Sequence, residues 1–81
     1  MNIIKFKITT PSKLSINYND RTVVVSGEVT LTPIFYANIN DFSYWAYPFE
    51  NEKIRENEKN EIIDYITRES KEVGEIEIIF D

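Results

Sequence analysis

Any acid–base chemistry in this chain would fall to carboxylates, and Glu50, Glu52, Glu56 and Glu58 crowd one short polar stretch. Carboxylate-pair catalysis needs two acids flanking a cleft, one of them desolvated. Acids packed this densely among Asn and Lys read instead as a solvated face. Nor do they follow the calcium-loop pattern of alternating acids closed by a glycine. The chain has no histidine and no cysteine, which removes Ser-His-Asp and Cys-His nucleophiles and Cys/His zinc sites. Its two glycines, Gly27 and Gly74, are too far apart to form a phosphate-cradling loop. The expectation is a protein that binds rather than turns over, with no catalytic residues, no cofactor and no metal.

Binding chemistry is better supplied. Tyr44-Trp45-Ala46-Tyr47-Pro48-Phe49 runs directly into Glu50-Asn51-Glu52. Trp45 and Phe49 are expected to close one end of a small core that needs large apolar area. Tyr and Trp also anchor protein interfaces. Both roles fit together if Trp45 points inward while Tyr44 or Tyr47 points outward. The candidate partner contacts are Asp41, Tyr44, Tyr47, Glu50, Glu52, Glu56, Glu58 and Glu61.

The net charge is −5, unevenly spread. Residues 1–49 hold four Lys/Arg against three Asp/Glu, a balance of +1, and residues 50–81 hold five against eleven, a balance of −6. An acidic surface repels nucleic acid and attracts basic proteins. With neither an apolar leader nor a membrane-length apolar run, the sequence reads as that of a soluble cytoplasmic protein.

The elements that must position these residues follow from periodicity. Ile4, Phe6 and Ile8 alternate with Lys5 and Lys7, the period of a half-buried strand. Thr10-Pro11-Ser12 interrupts it. Leu14, Ile16 and Tyr18 give a second strand, Asn19-Asp20 a tight turn, and Thr22–Ser26 a β-branched third strand. Gly27 suggests a bulge or a close backbone approach. Glu28–Thr32 and Ile34–Ile39, separated by Pro33, are either one bent strand or two. Asn40–Ser43 is turn-like, and the aromatic segment reads as an extended loop.

From Arg55 to Val73 the period becomes 3.6, with Ile62, Ile63, Ile66, Ser70 and Val73 on one stripe. Gly74 suits the C-terminal cap, and Glu75-Ile76-Glu77-Ile78 alternates again, closing with Ile79-Phe80-Asp81 as a last strand. The expected fold class is α+β: one domain over residues 1–81, an antiparallel β-meander, one long C-terminal amphipathic helix and a final strand whose neighbour the sequence leaves open. Phe6, Ile8, Leu14, Ile16, Val23, Val25, Ile62, Ile66, Ile76 and Ile78 form the expected core.

Several of these residues resemble a known family. Val24-Val25-Ser26-Gly27-Glu28 resembles the V-x-S-G-E strand end of the immunity protein 74 family. Trp45-Ala46-Tyr47-Pro48-Phe49-Glu50 resembles its W-x-x-P-aromatic-acid segment. Ile54, Ile62-Ile63-Asp64-Tyr65-Ile66 and the closing Glu75–Asp81 follow in the same order. Arg55 stands where a Ser or Thr cap is expected, and Pro33 with the Thr-rich run before it departs from the pattern. The resemblance implies a protein made beside a bacterial toxin domain that neutralises it by tight binding, and it brings no catalytic residues.

Three functions compete. The first is an immunity protein that blocks a cognate toxin domain, a basic protein such as a nuclease, by steric and electrostatic means; nucleic acid and membrane are not expected partners. The second is a small acidic interaction module or assembly subunit without a toxin partner. The third, an enzyme built on Glu50–Glu61, is disfavoured by the missing histidine.

Overall fold

The computed structural model describes residues 2–73 and 76–81. Five strands and one helix follow in order: β1 (Ile4–Thr10), β2 (Lys13–Tyr18), β3 (Arg21–Val29), β4 (Ile34–Ala37), α1 (Glu56–Val73) and β5 (Glu77–Phe80). A single turn of 3-10 helix, Ile39–Asp41, lies between β4 and α1. The strands form one sheet in the order β1-β2-β3-β4-β5. The first four are an antiparallel meander, as expected. The open question of the last strand is answered by β5 lying parallel to β4, with Ile34 opposite Glu77 and Ala37 opposite Phe80, so the sheet is mixed. That return needs a crossover, and α1 supplies it.

Asn19 takes φ 57° in the β2–β3 turn, a conformation its short polar side chain tolerates. Its amide donates to the Ile3 carbonyl at 2.8 Å and its Oδ1 accepts from the Ile3 amide at 2.9 Å, which binds the start of the chain to the turn. β3 runs through Gly27 without a break and serves two partners. Arg21–Ser26 pairs with β2, and Gly27–Val29 pairs with β4. Gly27 marks a close approach: a Cβ there would lie 2.5 Å from Phe35 Cε1, and closer still to the Tyr36 carbonyl oxygen. Glu28–Thr32 and Ile34–Ile39 are therefore not one bent strand: Glu28 and Val29 end β3, Thr30–Thr32 lie outside any strand, and β4 stops at Ala37.

Alternation sends Leu14, Ile16, Tyr18, Val23, Val25, Phe35, Ala37 and Ile78 into the core, where Ile62 and Ile66 of α1 meet them. Leu14, Ile16, Val23, Val25, Ile62, Ile66 and Ile78 are buried as expected. Phe6, Ile8 and Ile76 are only half-buried and need correction. Phe6 and Ile8 lie on β1, the outermost strand, whose inward residues have a neighbour on one side only. Phe6 is partly shielded by the Tyr65 ring of α1, edge-to-face at 6.4 Å. Ile76 precedes β5 at the opposite margin.

The helix begins at Glu56, one residue after the expected Arg55. The Arg55 carbonyl accepts the first helical bond from the Lys59 amide, and its own amide donates to Glu58 Oε1 at 3.0 Å. That is half of a capping box: the reaching glutamate is present although the capping hydroxyl is not. Gly74, Glu75 and the side chain of Val73, on which the expected C-terminal cap and stripe end fall, lie outside the described residues.

Candidate functional site

Residues 38–54 complete the part of β3 that β4 does not reach. The Asn38 amide donates to the Ser26 carbonyl at 2.8 Å, and the Ala46 amide donates to the Thr22 carbonyl at 2.7 Å. The Ser26 amide and hydroxyl both donate to Asp41 Oδ2, at 2.8 and 2.5 Å. The segment then folds into a closed loop. Trp45 donates to the Glu52 carbonyl at 3.2 Å and Ile54 to the Ser43 carbonyl at 2.9 Å, so that Tyr44 and Lys53 face each other across a single antiparallel bridge. Inside that ring, Phe49 donates to the Ala46 carbonyl and Glu52 to the Phe49 carbonyl, both at 2.9 Å.

The loop's apolar side chains divide by direction. Phe42, Trp45 and Ile54 are buried, and Trp45 stacks on Tyr18 with ring centres 5.8 Å apart. Tyr44 and Tyr47 point outward, 56% and 84% exposed. The expected split between an inward tryptophan and outward tyrosines is present. Phe49 is half-buried under the Arg21 guanidinium, which lies 4.2 Å from its ring centre.

Arg21 is the residue that sequence reasoning missed. Its Nε and Nη2 both donate to Glu52 Oε1, at 3.2 and 2.8 Å, and its Nη1 donates to Asp20 Oδ1 at 2.7 Å. The hydrogen bond to Glu52 is the main reason its pKa is raised above the ordinary value. One guanidinium thus joins the β2–β3 turn to the loop. Solvent screens exposed ion pairs and ring contacts of this kind. The arrangement therefore acts more on geometry than on global stability. The only signal in the sequence was an arginine following a turn dipeptide, which reads as an ordinary surface charge.

The eight sequence-selected contacts separate into two groups. Asp41, Glu52, Glu58 and Glu61 have intramolecular roles. The Ser26 hydroxyl, and after it the Ser26 amide, holds the Asp41 carboxyl below the ordinary carboxylate value, with the charge of Lys13 adding to the effect. Glu61 accepts from the Tyr18 hydroxyl at 2.9 Å and from Asn2 Nδ2 at 2.9 and 3.1 Å, tying α1 to β2 and the chain start. Burial, followed by the hydrogen bond to Glu61, pushes the Tyr18 phenol up to about 12. Tyr44, Tyr47, Glu50 and Glu56 are exposed, and among the described residues no side-chain hydrogen bond or ion pair engages them.

The eight do not form one patch. Asp41 is bonded to Ser26, five residues along β3 from Arg21, a backbone span of roughly 17 Å at about 3.4 Å per residue, so it sits toward the other end of that strand segment from the Arg21–Glu52 contact. Tyr44, Tyr47, Glu50 and Glu52 share the loop, with Glu56 just beyond it. Lys53 and Arg55 stand on the same stretch, so its acidity is partly offset. Among the described residues no three acids gather in a metal-binding cluster, and no helix is long and apolar enough to cross a membrane.

No curated protein and no solved structure matches the chain. A family match covers residues 5–81 and takes in β1 from its second residue, β2–β5, α1, the Val24–Glu28 strand end and the Trp45–Glu50 loop. With nearly the whole chain matched in this way, the protein belongs to the immunity protein 74 family, whose name implies a toxin as partner.

Proposed function

We propose that this single-domain protein neutralises its cognate toxin by occupying it, through the loop that carries Tyr44, Tyr47 and Glu50 and the adjoining acidic start of α1. The observation that carries the reading is the exposure of two tyrosines on the loop with Glu50, which like Glu56 has no side-chain partner among the described residues, in a family member whose name calls for a protein partner. Rings of this kind provide buried area at low entropic cost, and flanking acids speed encounter with a basic surface. A basic toxin, such as a nuclease that must hold phosphates, suits the balance of −6 over residues 50–81. The same charge disfavours nucleic acid as a direct partner. Inhibition by occupancy requires no turnover and no cofactor from the inhibitor, and protection of the producing cell would take place in the cytoplasm.

The test uses Glu50→Lys and Glu56→Lys together, because Glu52 is engaged by Arg21 and its reversal would also disturb the loop. Association with a catalytically inactive form of the toxin domain encoded beside the chain should slow strongly at low salt and less at high salt, since ions screen exposed charge. Association unchanged at low salt would move the contact surface to the open face of the sheet around Lys5, Lys7 and Lys13.

A further inference from the structure

We infer that Arg21 is a positioning residue for recognition: by holding Glu52 and covering Phe49, it fixes the loop in the shape that presents Tyr44 and Tyr47 as paired anchors for a basic protein surface. This inference rests on the function proposed above and adds which residues hold the partner and which residue prepares them. The loop is built from both sides. Ala46 bonds to Thr22 of β3, while Trp45 and Ile54 close the ring across its base. Trp45 is packed on Tyr18, so the residue between the two exposed tyrosines and the core cannot turn without leaving that stack. Arg21 then reaches over the outer half, where Phe49 closes the turn that contains Tyr47 and Glu52 closes the turn after it. Its charge is engaged by Glu52 and Asp20, and among the described residues Glu50, on the loop, and Glu56, just beyond it, are in no ion pair.

Charge complementarity identifies the occupant as the basic surface of the toxin domain. Rings held in place before encounter lose little freedom on binding, so preorganisation appears in the association rate, which scales with the fraction of molecules in the competent shape. The anchors themselves, once buried, govern dissociation.

A sign difference makes the test decisive. Arg21→Met keeps an apolar side chain near Phe49 but removes one positive charge, taking the net charge from −5 to about −6. If Arg21 acted only through long-range charge, association with a basic toxin domain would become faster. If it positions the loop, association slows several-fold, dissociation changes little, and the single tryptophan, Trp45, reports a looser environment in its fluorescence anisotropy. Arg21→Lys should restore only part of the rate, because an ammonium lacks the planar fork. The combined Tyr44→Ala and Tyr47→Ala variant should dissociate roughly thirty-fold faster, the loss expected of anchor residues. Both side chains are exposed, so circular dichroism and thermal melting should match the parent protein.

The measurements use the full chain and the inactive toxin domain encoded beside it, by stopped flow. Absence of binding by the parent protein overturns the proposed function and this inference together. Binding that is slowed by Glu50→Lys with Glu56→Lys, yet dissociates within about twofold of the parent when both tyrosines are removed, overturns the inference alone. Faster association of Arg21→Met likewise overturns the role given to Arg21.

Discussion

The Ser70 hydroxyl of α1 accepts the amide proton of Ile78 in β5 at 3.1 Å and donates in turn to the Thr67 carbonyl at 3.2 Å. Ser70 is 3% exposed, in line with Ile62 and Ile66 on the buried stripe of the helix. It is a polar group at an apolar position, and its use is to satisfy a backbone donor on the strand's outer side. Ser70→Ala should leave that donor unpaired and cost about 1–3 kcal/mol. Urea denaturation would measure it, and a loss near zero would mean that water replaces the hydroxyl.

Ile66 is fully buried between α1 and the sheet. Ile66→Ala should cost roughly 2–4 kcal/mol, from lost apolar transfer and the cavity left behind. A midpoint shift equivalent to less than about 1 kcal/mol would show that the helix settles into the space.

Gly27→Ala tests the close approach of β3 and β4. The added methyl would meet the Phe35 ring and, more stubbornly, the backbone oxygen of Tyr36. Alanine ordinarily stabilises such a site by about 0.4–1 kcal/mol through the unfolded chain. Overpacking of about 1–3 kcal/mol should outweigh that gain. Thermal melting should therefore show net destabilisation, and a more stable variant would refute the approach.

Stability should fall at both pH extremes for identifiable reasons. Asp41 is held below its ordinary value of 3.8 by Ser26, so its contribution is complete above that value and is lost as pH falls through its lower folded value. Asp41→Asn should flatten the acid limb of a stability profile and cost about 1–2 kcal/mol at neutral pH, as a charged acceptor is replaced by a neutral one. Tyr18 is raised from 10.0 to about 12, so its contribution is complete below 10 and is lost as pH rises through about 12. Tyr18→Phe should remove its share of the alkaline loss. Denaturation midpoints collected across pH would separate the two limbs.

Periodicity made the meander, the helix and the final strand legible, because a half-buried strand and an amphipathic helix each impose their own repeat. The need of a small core for large rings put Trp45 and Phe49 inward and allowed Tyr44 or Tyr47 outward; Trp45 is buried, Phe49 only half-buried, and both tyrosines are exposed. What periodicity lacked was information on pairing across the chain. The parallel seat of β5, the division of β3 between two partners and the half-burial of Phe6 and Ile8 all depend on which strand is outermost. The acids show the same boundary. Sequence reasoning grouped Glu52 and Glu61 with Glu50 as surface charge, but their occupation by Arg21, Tyr18 and Asn2 spans separations of 31, 43 and 59 positions.

The parallel seat of β5 has a kinetic consequence. Ile34 waits for Glu77, 43 positions later, whereas Leu14 finds Val25 after only 11. Contacts between distant positions carry a larger closure entropy and generally form more slowly than local hairpins. The segment that carries Tyr44 and Tyr47 lies inside the long closure, while Tyr18, Arg21 and Thr22, against which it docks, belong to the local hairpin, so the hairpin of β2 and β3 should be native before the recognition loop is. Stopped-flow refolding followed at Trp45 should lag behind amide protection in that hairpin, and simultaneous signals would contradict the order. During synthesis, β5 emerges after the four strands and the loop that it completes. On the function proposed above, protection would begin only once β5 has reached β4, and the interval between translating a toxin and holding it in check would be set by that step.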